Sequence, residues 1–267
     1  KSYFIMKTKK QSSMAFSLTA PFYDLIYQHR NIAREVFFIT KHIHARLPNV
    51  KNVSLLDIGS GTGVHAVLFG KQNFKVTGVD RSAEMIAIAK QKAHSQNIPI
   101  HFIHKDFLKF ASSPHYDVIT SLFDVASYMT TNEQVRAFFT NVSSLLHKNG
   151  LLIFDCWYGP GVLLSRPKII KQRYKGNGFT IHRKKTPTIS YQTNTVSVHH
   201  NLTIYGGAHN HHTLEETHVM RYFFYPELEN YLQQAGLKII EWGNIGFPLR
   251  PPKNPPWSTY IIAQKIR

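Results

Sequence analysis

The most informative stretch of the sequence is Leu55-Leu56-Asp57-Ile58-Gly59-Ser60-Gly61-Thr62-Gly63, where a short apolar run leads into a glycine-rich turn. Residues 53–58 predict a buried strand before the turn, and residues 64–71 predict a helix after it. Gly59 and Gly61 allow backbone angles and a close approach that a Cβ would forbid. The N–H groups at the start of the helix point towards whatever lies above the turn. The pattern therefore predicts a ligand site at the end of the first strand of an α/β sheet.

One carboxylate is placed to hold a nucleoside. Asp80 follows the second predicted strand (74–79), 21 residues after Gly59, where a carboxylate can bind both hydroxyls of a ribose. Nicotinamide and flavin dinucleotide domains need a third glycine three positions after the second, and Val64 stands there instead. The spacing therefore favours a nucleoside cofactor that lacks a pyrophosphate.

Apolar runs alternate with helical patterns between residues 53 and 156, which predicts successive βαβ units and a parallel sheet. Ser82 is expected to cap one of the helices, over residues 83–94. We expect an α/β fold with a Rossmann-like, doubly wound sheet of seven strands, at residues 53–58, 74–79, 100–104, 116–122, 151–156, 237–242 and 259–265.

The pattern changes after the fifth strand. Residues 166–225 alternate polar and apolar side chains with period two, as antiparallel strands do. Residues 156–214 include eight basic and no acidic side chains. Both observations indicate a separate antiparallel β insertion. We divide the chain into an N-terminal basic and helical segment that closes the cofactor site (1–52), a cofactor-binding core (53–160), the insertion (161–225), and a C-terminal helix with the last two strands (226–267).

Charge and composition limit the possible partners. The 267 residues include 32 Lys and Arg against 15 Asp and Glu, a formal net charge of +17. This excess favours an anionic partner, with solubility as the alternative explanation. No apolar run approaches the ~20 residues that span a bilayer, and the early lysines precede no apolar signal core. One cysteine, Cys156, excludes an internal disulfide and favours a reducing, cytoplasmic compartment.

The glycine turn, Asp80 and the run Lys105-Asp106-Phe107 together resemble the class I S-adenosylmethionine-dependent methyltransferases. The resemblance implies S-adenosyl-L-methionine as cofactor and a mostly parallel sheet whose last strand is antiparallel. It also implies that the turn contacts the methionyl part, Asp80 the ribose, Asp106 the adenine amine, and Met85 the adenine face. The expected cofactor-binding residues are Tyr23, Asp57, Gly59, Ser60, Gly61, Gly63, Asp80, Arg81, Met85, Asp106, Phe107 and Leu122. A degenerate Rossmann domain without a cofactor is the alternative.

Several acceptor classes are disfavoured. An Asn-Pro-Pro-Tyr or Asp-Pro-Pro-Tyr run after the fourth strand would place the amine of a base beside the methyl group, but this chain has Ser121-Leu122-Phe123-Asp124. The paired-glutamate loop of arginine methylation is missing. A single cysteine does not support C5 methylation of bases.

Three other runs (22–27, 123–129 and 154–160) together resemble the N-methyltransferases that dimethylate amino groups on nucleotide-linked deoxysugars. That resemblance implies an antiparallel insertion used for homodimerisation, Tyr27 and Tyr128 beside the acceptor amine, and a sugar pocket shaped by Trp157 and Tyr158. A Lys-Asp-Tyr run common in that group is replaced here by Ile32-Ala33-Arg34. This difference leaves the acceptor open.

The chemistry requires little beyond alignment. Methyl transfer from a sulfonium is an in-line displacement, and a neutral amine needs only a group to take up its proton. Our catalytic candidates are Tyr27, Tyr128 and His218, with core packing as the alternative for Tyr128. Arg221 is a candidate for a substrate phosphate or for a protein carboxylate. We expect no metal, although histidines cluster in the insertion at His199, His200, His209, His211 and His212.

We therefore expect a methyltransferase that N-methylates a small, anionic amine such as a nucleotide-linked amino sugar. Two alternatives remain open at this point. One is an RNA-modifying enzyme, for which the net charge is the only support and no recognisable RNA-binding module is present. The other is a partner subunit that binds the cofactor without catalysis.

Overall fold

Twelve strands and seven α-helices occur in the part of the chain that the computed structural model describes, namely residues 9–12 (backbone only), 16, 18–111, 115–176, 178–206, 211–243 and 255–266. The strands are β1 (Lys9–Ser12), β2 (Ser54–Ile58), β3 (Lys75–Asp80), β4 (His101–His104), β5 (Tyr116–Ser121), β6 (Leu146–Tyr158), β7 (Ile170–Gly176), β8 (Phe179–Ser190), β9 (Thr195–Tyr205), β10 (His211–Phe223), β11 (Leu237–Gly243) and β12 (Ser258–Lys265). The helices are α1 (Tyr23–Tyr27), α2 (Ile32–Arg46), α3 (Val64–Lys71), α4 (Ala83–Ser95), α5 (Asn132–Leu145), α6 (Gly159–Leu164) and α7 (Tyr225–Gln234).

The seven strands predicted for the core form one part of a larger sheet, which has twelve strands in the described chain. Five of the seven are parallel and lie in the order β4-β3-β2-β5-β6. Strand β12 pairs antiparallel with β6, and β11 pairs antiparallel with β12. Because the parallel strands all end at one edge, residues that follow them converge there. The expected mostly parallel sheet with an antiparallel last strand is confirmed.

Helices cover both faces of this sheet. On one face α2, α3 and α4 pack through apolar residues that include Ile39, Phe69 and Ala89. On the other face α5 and α7 pack through residues that include Phe138 and Leu232. The predicted doubly wound arrangement is therefore confirmed. None of the helices in the described ranges is long and apolar enough to cross a membrane.

The insertion is joined to the central sheet rather than separate from it. Strands β7, β8, β9 and β10 pair antiparallel in that order. The end of β10 also pairs in parallel with the end of β6, through Tyr222 and Phe223 opposite Trp157 and Tyr158. The N-terminal strand β1, which the sequence pattern did not predict, adds to β10 in parallel. Hydrogen bonding thus makes one continuous sheet of the two predicted parts.

The largest boundary difference lies at the start of β6. The fifth strand is predicted at residues 151–156, whereas α5 ends at Leu145 and β6 already begins at Leu146. Leu146 pairs with Tyr116 of β5, and the register then shifts so that Leu151 pairs with Val118. The left-handed Asn149 (φ 64°) therefore lies at an irregularity within a strand, because pairing with β5 extends the strand beyond its predicted start at residue 151.

Candidate active site

The glycine turn follows β2 at the convergent edge of the sheet. Gly59, Gly61 and Gly63 have φ values of +67°, +53° and +76°, a backbone conformation that residues with a side chain rarely adopt. A Cβ on Gly59 would lie 2.6 Å from a methyl carbon of Val125, and one on Gly63 would lie 2.9 Å from Cβ of Ala89. Positions 59 and 63 therefore require glycine for both conformation and space, and position 61 for conformation.

Asp80 is fixed in place by the turn. Its Oδ2 accepts the N–H of Gly61 at 2.9 Å, and its Oδ1 accepts the N–H of Ser82 at 2.8 Å. Burial raises the pKa of Asp80, although these hydrogen bonds oppose the shift. Each carboxylate oxygen keeps a further lone pair for a ligand hydroxyl.

A cavity above the turn collects most of the residues expected at the cofactor. Its lining includes the predicted residues Tyr23, Gly59, Gly61, Asp80, Arg81, Met85, Asp106 and Phe107. An adjoining cavity on the other side of the turn is lined by further predicted residues, Asp57, Ser60 and Leu122. Gly63 lines neither cavity, because it lies where the turn packs against Ala89 and Phe102. The structure thus brings eleven of the twelve residues to two connected spaces.

The groups around the turn fit a nucleoside with a charged tail. Met85 and Phe107 supply a buried apolar wall. Burial raises the pKa of Asp57 to about 6, and Thr120 donates a 2.8 Å hydrogen bond to it. The buried hydroxyl of Ser60 has no hydrogen-bond partner among the described residues. An unpartnered buried hydroxyl is costly, so a bound ligand that uses it would be stabilised.

Helix α1 lies across this site and is tied to it by Asp24. The Thr62 hydroxyl donates to Oδ1 of Asp24 at 2.6 Å, and the Lys92 ammonium lies 2.7 Å from Oδ2. The rings of Tyr23 and Tyr27 on this helix are 4.7 Å apart. Both tyrosines line the adjoining cavity together with Gly59 and Gly61 of the turn.

A second cavity lies between the core and the insertion, and it shares a boundary with the cofactor cavity. Phe16, Phe123 and Tyr128 line both spaces. The inner face of the insertion forms the far wall, with side chains that alternate along three neighbouring strands: Arg183, Lys185 and Pro187 of β8, Val198 and His200 of β9, and His218 and Met220 of β10. We call this space the acceptor cavity.

The backbone is strained at the boundary between the two cavities. Phe123 and Asp124, which follow β5, both have left-handed φ values, 73° and 61°. The Asp124 N–H donates to Oδ1 of Asp155 at 2.7 Å, and the Ser258 hydroxyl donates to Oδ1 of Asp124 at 2.6 Å. Two consecutive non-glycine residues in this region are held only where the surroundings fix them, and such strain concentrates at functional sites.

The three predicted catalytic residues all line the acceptor cavity. The Tyr128 hydroxyl lies 2.9 Å from Nδ1 of His218, and Arg183 donates a 3.2 Å hydrogen bond to the Tyr27 hydroxyl. Burial raises the pKa of Tyr128 well above its usual value. Tyr128 is therefore both packed and hydrogen-bonded at the boundary.

Of the three predicted substrate residues, the structure brings only Trp157 to the cavity. Tyr158 is the next residue on β6 and so points the other way, where its ring lies 5.3 Å from the ring of Trp242. Arg221 is an odd number of positions from His218 and lies on the opposite face, in an ion pair with Glu227. The structure therefore brings neither Tyr158 nor Arg221 to this cavity, and the ion pair with Glu227 is the second of the two roles considered for Arg221.

Arg183 and His200 both line the acceptor cavity. The sequence pattern did not predict Arg183 as a site residue, and it indicated His200 only as part of a histidine cluster. The guanidinium of Arg183 donates to Nδ1 of His200 from Nε at 3.1 Å, which the pairing of β8 with β9 makes possible. Burial, and then the charge of Arg183, lower the pKa of His200 to about 2. Period-two alternation places Arg183 and Lys184 on opposite faces of β8, but the sequence does not show which of the two faces points into the cavity.

No metal site is found in the described chain, where no three His, Cys, Asp or Glu side chains are grouped to hold an ion. His200 points into the acceptor cavity, and His199 lies next to Thr217 on the other face. His209 of the predicted cluster lies outside the described residues.

Comparisons with known proteins agree with this geometry. A family described as a methyltransferase domain matches residues 55–150. A putative methyltransferase of Geobacillus sp. (strain WCH70) is 39% identical over 101 residues, 38% of this chain and 41% of the relative. A dTDP-4-amino-2,3,4,6-tetradeoxy-D-glucose N,N-dimethyltransferase of Saccharopolyspora spinosa is 32% identical over 143 residues, 53% and 55% of the two chains. The alignments thus span about half the length of these relatives.

A third relative matches over most of its length. It is a dTDP-3-amino-3,4,6-trideoxy-alpha-D-glucopyranose N,N-dimethyltransferase of Streptomyces venezuelae, 24% identical over 232 residues that cover 85% of this chain and 94% of the relative. Its similarity therefore extends beyond the methyltransferase domain into both flanking parts.

Solved structures share the whole fold. An S-adenosylmethionine-dependent methyltransferase from Clostridium acetobutylicum ATCC 824 has a TM-score of 0.79 at 19% identity, covering 92% of this chain and 97% of that one. CalS10, an amino pentose methyltransferase from Micromonospora echinaspora solved with S-adenosylmethionine, has a TM-score of 0.71 at 19% identity, covering 95% and 99%. Together with the cavity above the glycine turn, these findings support S-adenosyl-L-methionine as the cofactor. Residues 55–150 thus match a methyltransferase domain, within a chain that has the fold of class I S-adenosylmethionine-dependent methyltransferases.

Proposed function

We propose that the protein transfers the methyl group of S-adenosylmethionine to the amine nitrogen of a small anionic metabolite, such as a nucleotide-linked amino sugar. The observation that carries the proposal is the acceptor cavity, which meets the cofactor cavity at Tyr128 and has a cationic wall. Relatives that dimethylate dTDP-amino sugars support the same class of acceptor.

Arg183 is the main reason to expect an anionic acceptor. Its side chain is only 6% exposed, yet it forms no ion pair with any carboxylate of the described chain and is held by Tyr27 and His200. Lys185 lies two residues along the same face and lines the same cavity. A buried cation without a counter-charge is unfavourable, so an anionic group of the acceptor would be strongly preferred there.

The chain's own residues would hold both reactants in line. Asp80 would bind the ribose, Asp106 the adenine amine, and Met85 and Phe107 the adenine face. When bound, S-adenosylmethionine supplies an activated methyl group. Tyr27 and Tyr128 would orient the acceptor amine towards it across the boundary, and this alignment supplies most of the rate.

Asp80→Ala tests the assignment of the ribose site. We expect the affinity for S-adenosylmethionine to fall severalfold, because two hydrogen bonds to a charged acceptor are lost. The measurement is titration calorimetry, with thermal unfolding to show that the fold is kept. Glu84→Gln is the control, since it removes an exposed carboxylate four residues away. Equal affinity in Asp80→Ala and wild-type protein would contradict the assignment.

The acceptor itself is tested by a screen. Labelled S-adenosylmethionine is supplied with amino-sugar nucleotides, small uncharged amines and total RNA, and transfer to each is counted. We expect transfer to an amino-sugar nucleotide. Transfer to RNA alone would favour the alternative enzyme that the net charge suggests, and binding of S-adenosylmethionine without any transfer would favour a non-catalytic partner subunit.

A homodimer through the β insertion is part of the proposal. Strand β7 is the outer strand on the insertion side of the described sheet, and Lys171, Arg173 and Lys175 are exposed on it. Like charges on an edge oppose pairing with a second copy, and salt screens them. We therefore expect light scattering to show a mass that rises towards two chains as the salt concentration increases. One chain at every salt concentration would contradict the dimer.

A further inference from the structure

Glu216 is a buried carboxylate that contacts His218, one of the three predicted catalytic residues, without lining the acceptor cavity itself. We infer that Glu216 is a positioning residue for methyl transfer, which fixes His218 to receive, through Tyr128, the proton that leaves the acceptor amine. This inference rests on the proposed N-methylation and adds to it the route of the proton.

The three groups form a continuous chain of hydrogen bonds. The Tyr128 hydroxyl lies 2.9 Å from Nδ1 of His218, and Nε2 of His218 lies 3.4 Å from Oε2 of Glu216. Burial keeps the phenol of Tyr128 protonated, so it donates to Nδ1. Nε2 then carries the proton of the neutral ring and donates to the carboxylate. Both hydrogen bonds are satisfied by a single tautomer of His218.

Glu216 is held in its ionised form. Its Oε1 accepts the N–H groups of Leu18 at 2.6 Å and Thr19 at 3.1 Å, and its Oε2 accepts the Thr19 hydroxyl at 2.8 Å. Burial would raise the pKa of Glu216, but the hydrogen bonds from His218, Leu18 and Thr19 outweigh burial and lower it. The side chain is 1% exposed, so its position is fixed as well as its charge.

The other groups that face His218 do not favour a positive charge on it. The ring of His200 stacks at 4.5 Å and stays neutral, with Arg183 behind it and Lys185 opposite it on β8. The ring of Phe16 covers the remaining side at 4.5 Å, and Arg81 lies 5.7 Å from the ring of Tyr128. Glu216 is therefore the carboxylate that compensates a protonated His218 in this part of the molecule.

The proton balance follows from this arrangement. As the bond from nitrogen to the methyl carbon forms, the carbon–sulfur bond breaks and its electron pair stays on sulfur. The nitrogen becomes cationic and releases a proton to the Tyr128 oxygen, while the phenol proton passes to Nδ1 of His218. The imidazolium is then stabilised by Glu216 until the product leaves and the proton returns through Tyr128 to water. A second methylation needs this step, because only a neutral amine is nucleophilic.

Glu216→Gln tests the inference on the intact protein with its amine acceptor. We expect kcat at neutral pH to fall about tenfold, and the shape of the kcat profile against pH to change, since a proton accepted by His218 loses its counter-charge. KM and the affinity for S-adenosylmethionine should change less than about twofold. Glu215→Gln is the matched control, because this carboxylate is the neighbour on the opposite face of β10, where Asn201 donates to it.

The possible outcomes distinguish an incorrect role for Glu216 from an incorrect assignment of N-methylation. A Glu216→Gln profile that is parallel to the wild-type profile, or a loss confined to cofactor affinity, overturns the role of Glu216 and leaves the proposed N-methylation standing. Absence of transfer to any amine by the wild-type protein overturns both. A readout independent of turnover is the ¹⁵N spectrum of histidine rings, assigned by comparison with His218→Gln. His218 should be protonated at Nε2, and protonation at Nδ1 overturns the inference.

Discussion

Gly59→Ala is expected to abolish measurable binding of S-adenosylmethionine and to lower the free energy of unfolding by about 2–5 kcal/mol. Two effects combine at this position. The backbone is left-handed, and a Cβ would lie 2.6 Å from one methyl carbon of Val125 and 2.8 Å from the other. Since Val125 lines the cofactor cavity, relief of the clash must move either the turn or the cavity wall. Titration calorimetry measures the loss of S-adenosylmethionine binding, and denaturant unfolding measures the loss of stability.

Gly178→Ala is the matched control for that prediction. Gly178 has a similar φ of +76°, but a Cβ there would meet nothing within 4 Å. We expect only the left-handed strain of about 1–2 kcal/mol and unchanged cofactor affinity. Equal effects of the two substitutions would mean that backbone strain, and not the close approach of Val125, explains the requirement for glycine at position 59.

Arg183→Met is expected to lower kcat/KM for an anionic amine acceptor about 100-fold. This loss corresponds to roughly 3 kcal/mol of charge-assisted hydrogen bonding between the guanidinium and the anionic group. Affinity for S-adenosylmethionine should stay the same, because Arg183 lines the acceptor cavity and not the cofactor cavity. Stability should not fall, since the substitution removes a buried charge that has no carboxylate partner in the described chain. Steady-state kinetics and unfolding curves measure these quantities.

Two controls identify the source of such a loss. Arg173→Met makes the same change in net charge at an exposed position of β7 and should alter kcat/KM less than about twofold at physiological salt. An acceptor without its anionic group should react equally with wild-type and Arg183→Met protein. Equal losses in the two variants would mean that the overall positive field attracts the acceptor and that no specific anion site exists.

Much of the cofactor site could be predicted because its residues are near one another in the chain. The turn at 59–63 and Asp80 follow consecutive strands of one βαβ unit, and Asp106 follows the next strand. Hydrophobic periodicity locates those strands, and parallel strands end at a common edge. Eleven of the twelve expected residues therefore lie around the turn, and Gly63 differs because its space is taken by Ala89 and Phe102.

The acceptor side could be predicted only in part. Tyr27, Tyr128, Trp157 and His218 reach the cavity, but the facing direction of a side chain on a long strand depends on register. One position separates Trp157 from Tyr158, and an odd spacing separates His218 from Arg221, so each pair divides between opposite faces. Composition and local pattern do not contain that information.

Local sequence patterns determined the α/β sheet, the glycine turn and the position of Asp80 beside that turn, since these depend on residues within one or two elements. Pairing of β8 with β9 brought Arg183 to His200, and tertiary packing brought Glu216 to the backbone N–H groups of Leu18 and Thr19, nearly 200 positions away in the sequence. The register of the antiparallel strands and the pairing of β10 with β6 decide which side chains face the acceptor cavity. Burial of those side chains then shifts their pKa values. These features depend on which groups, distant in the sequence, are buried next to one another, and that burial exists only in the folded chain.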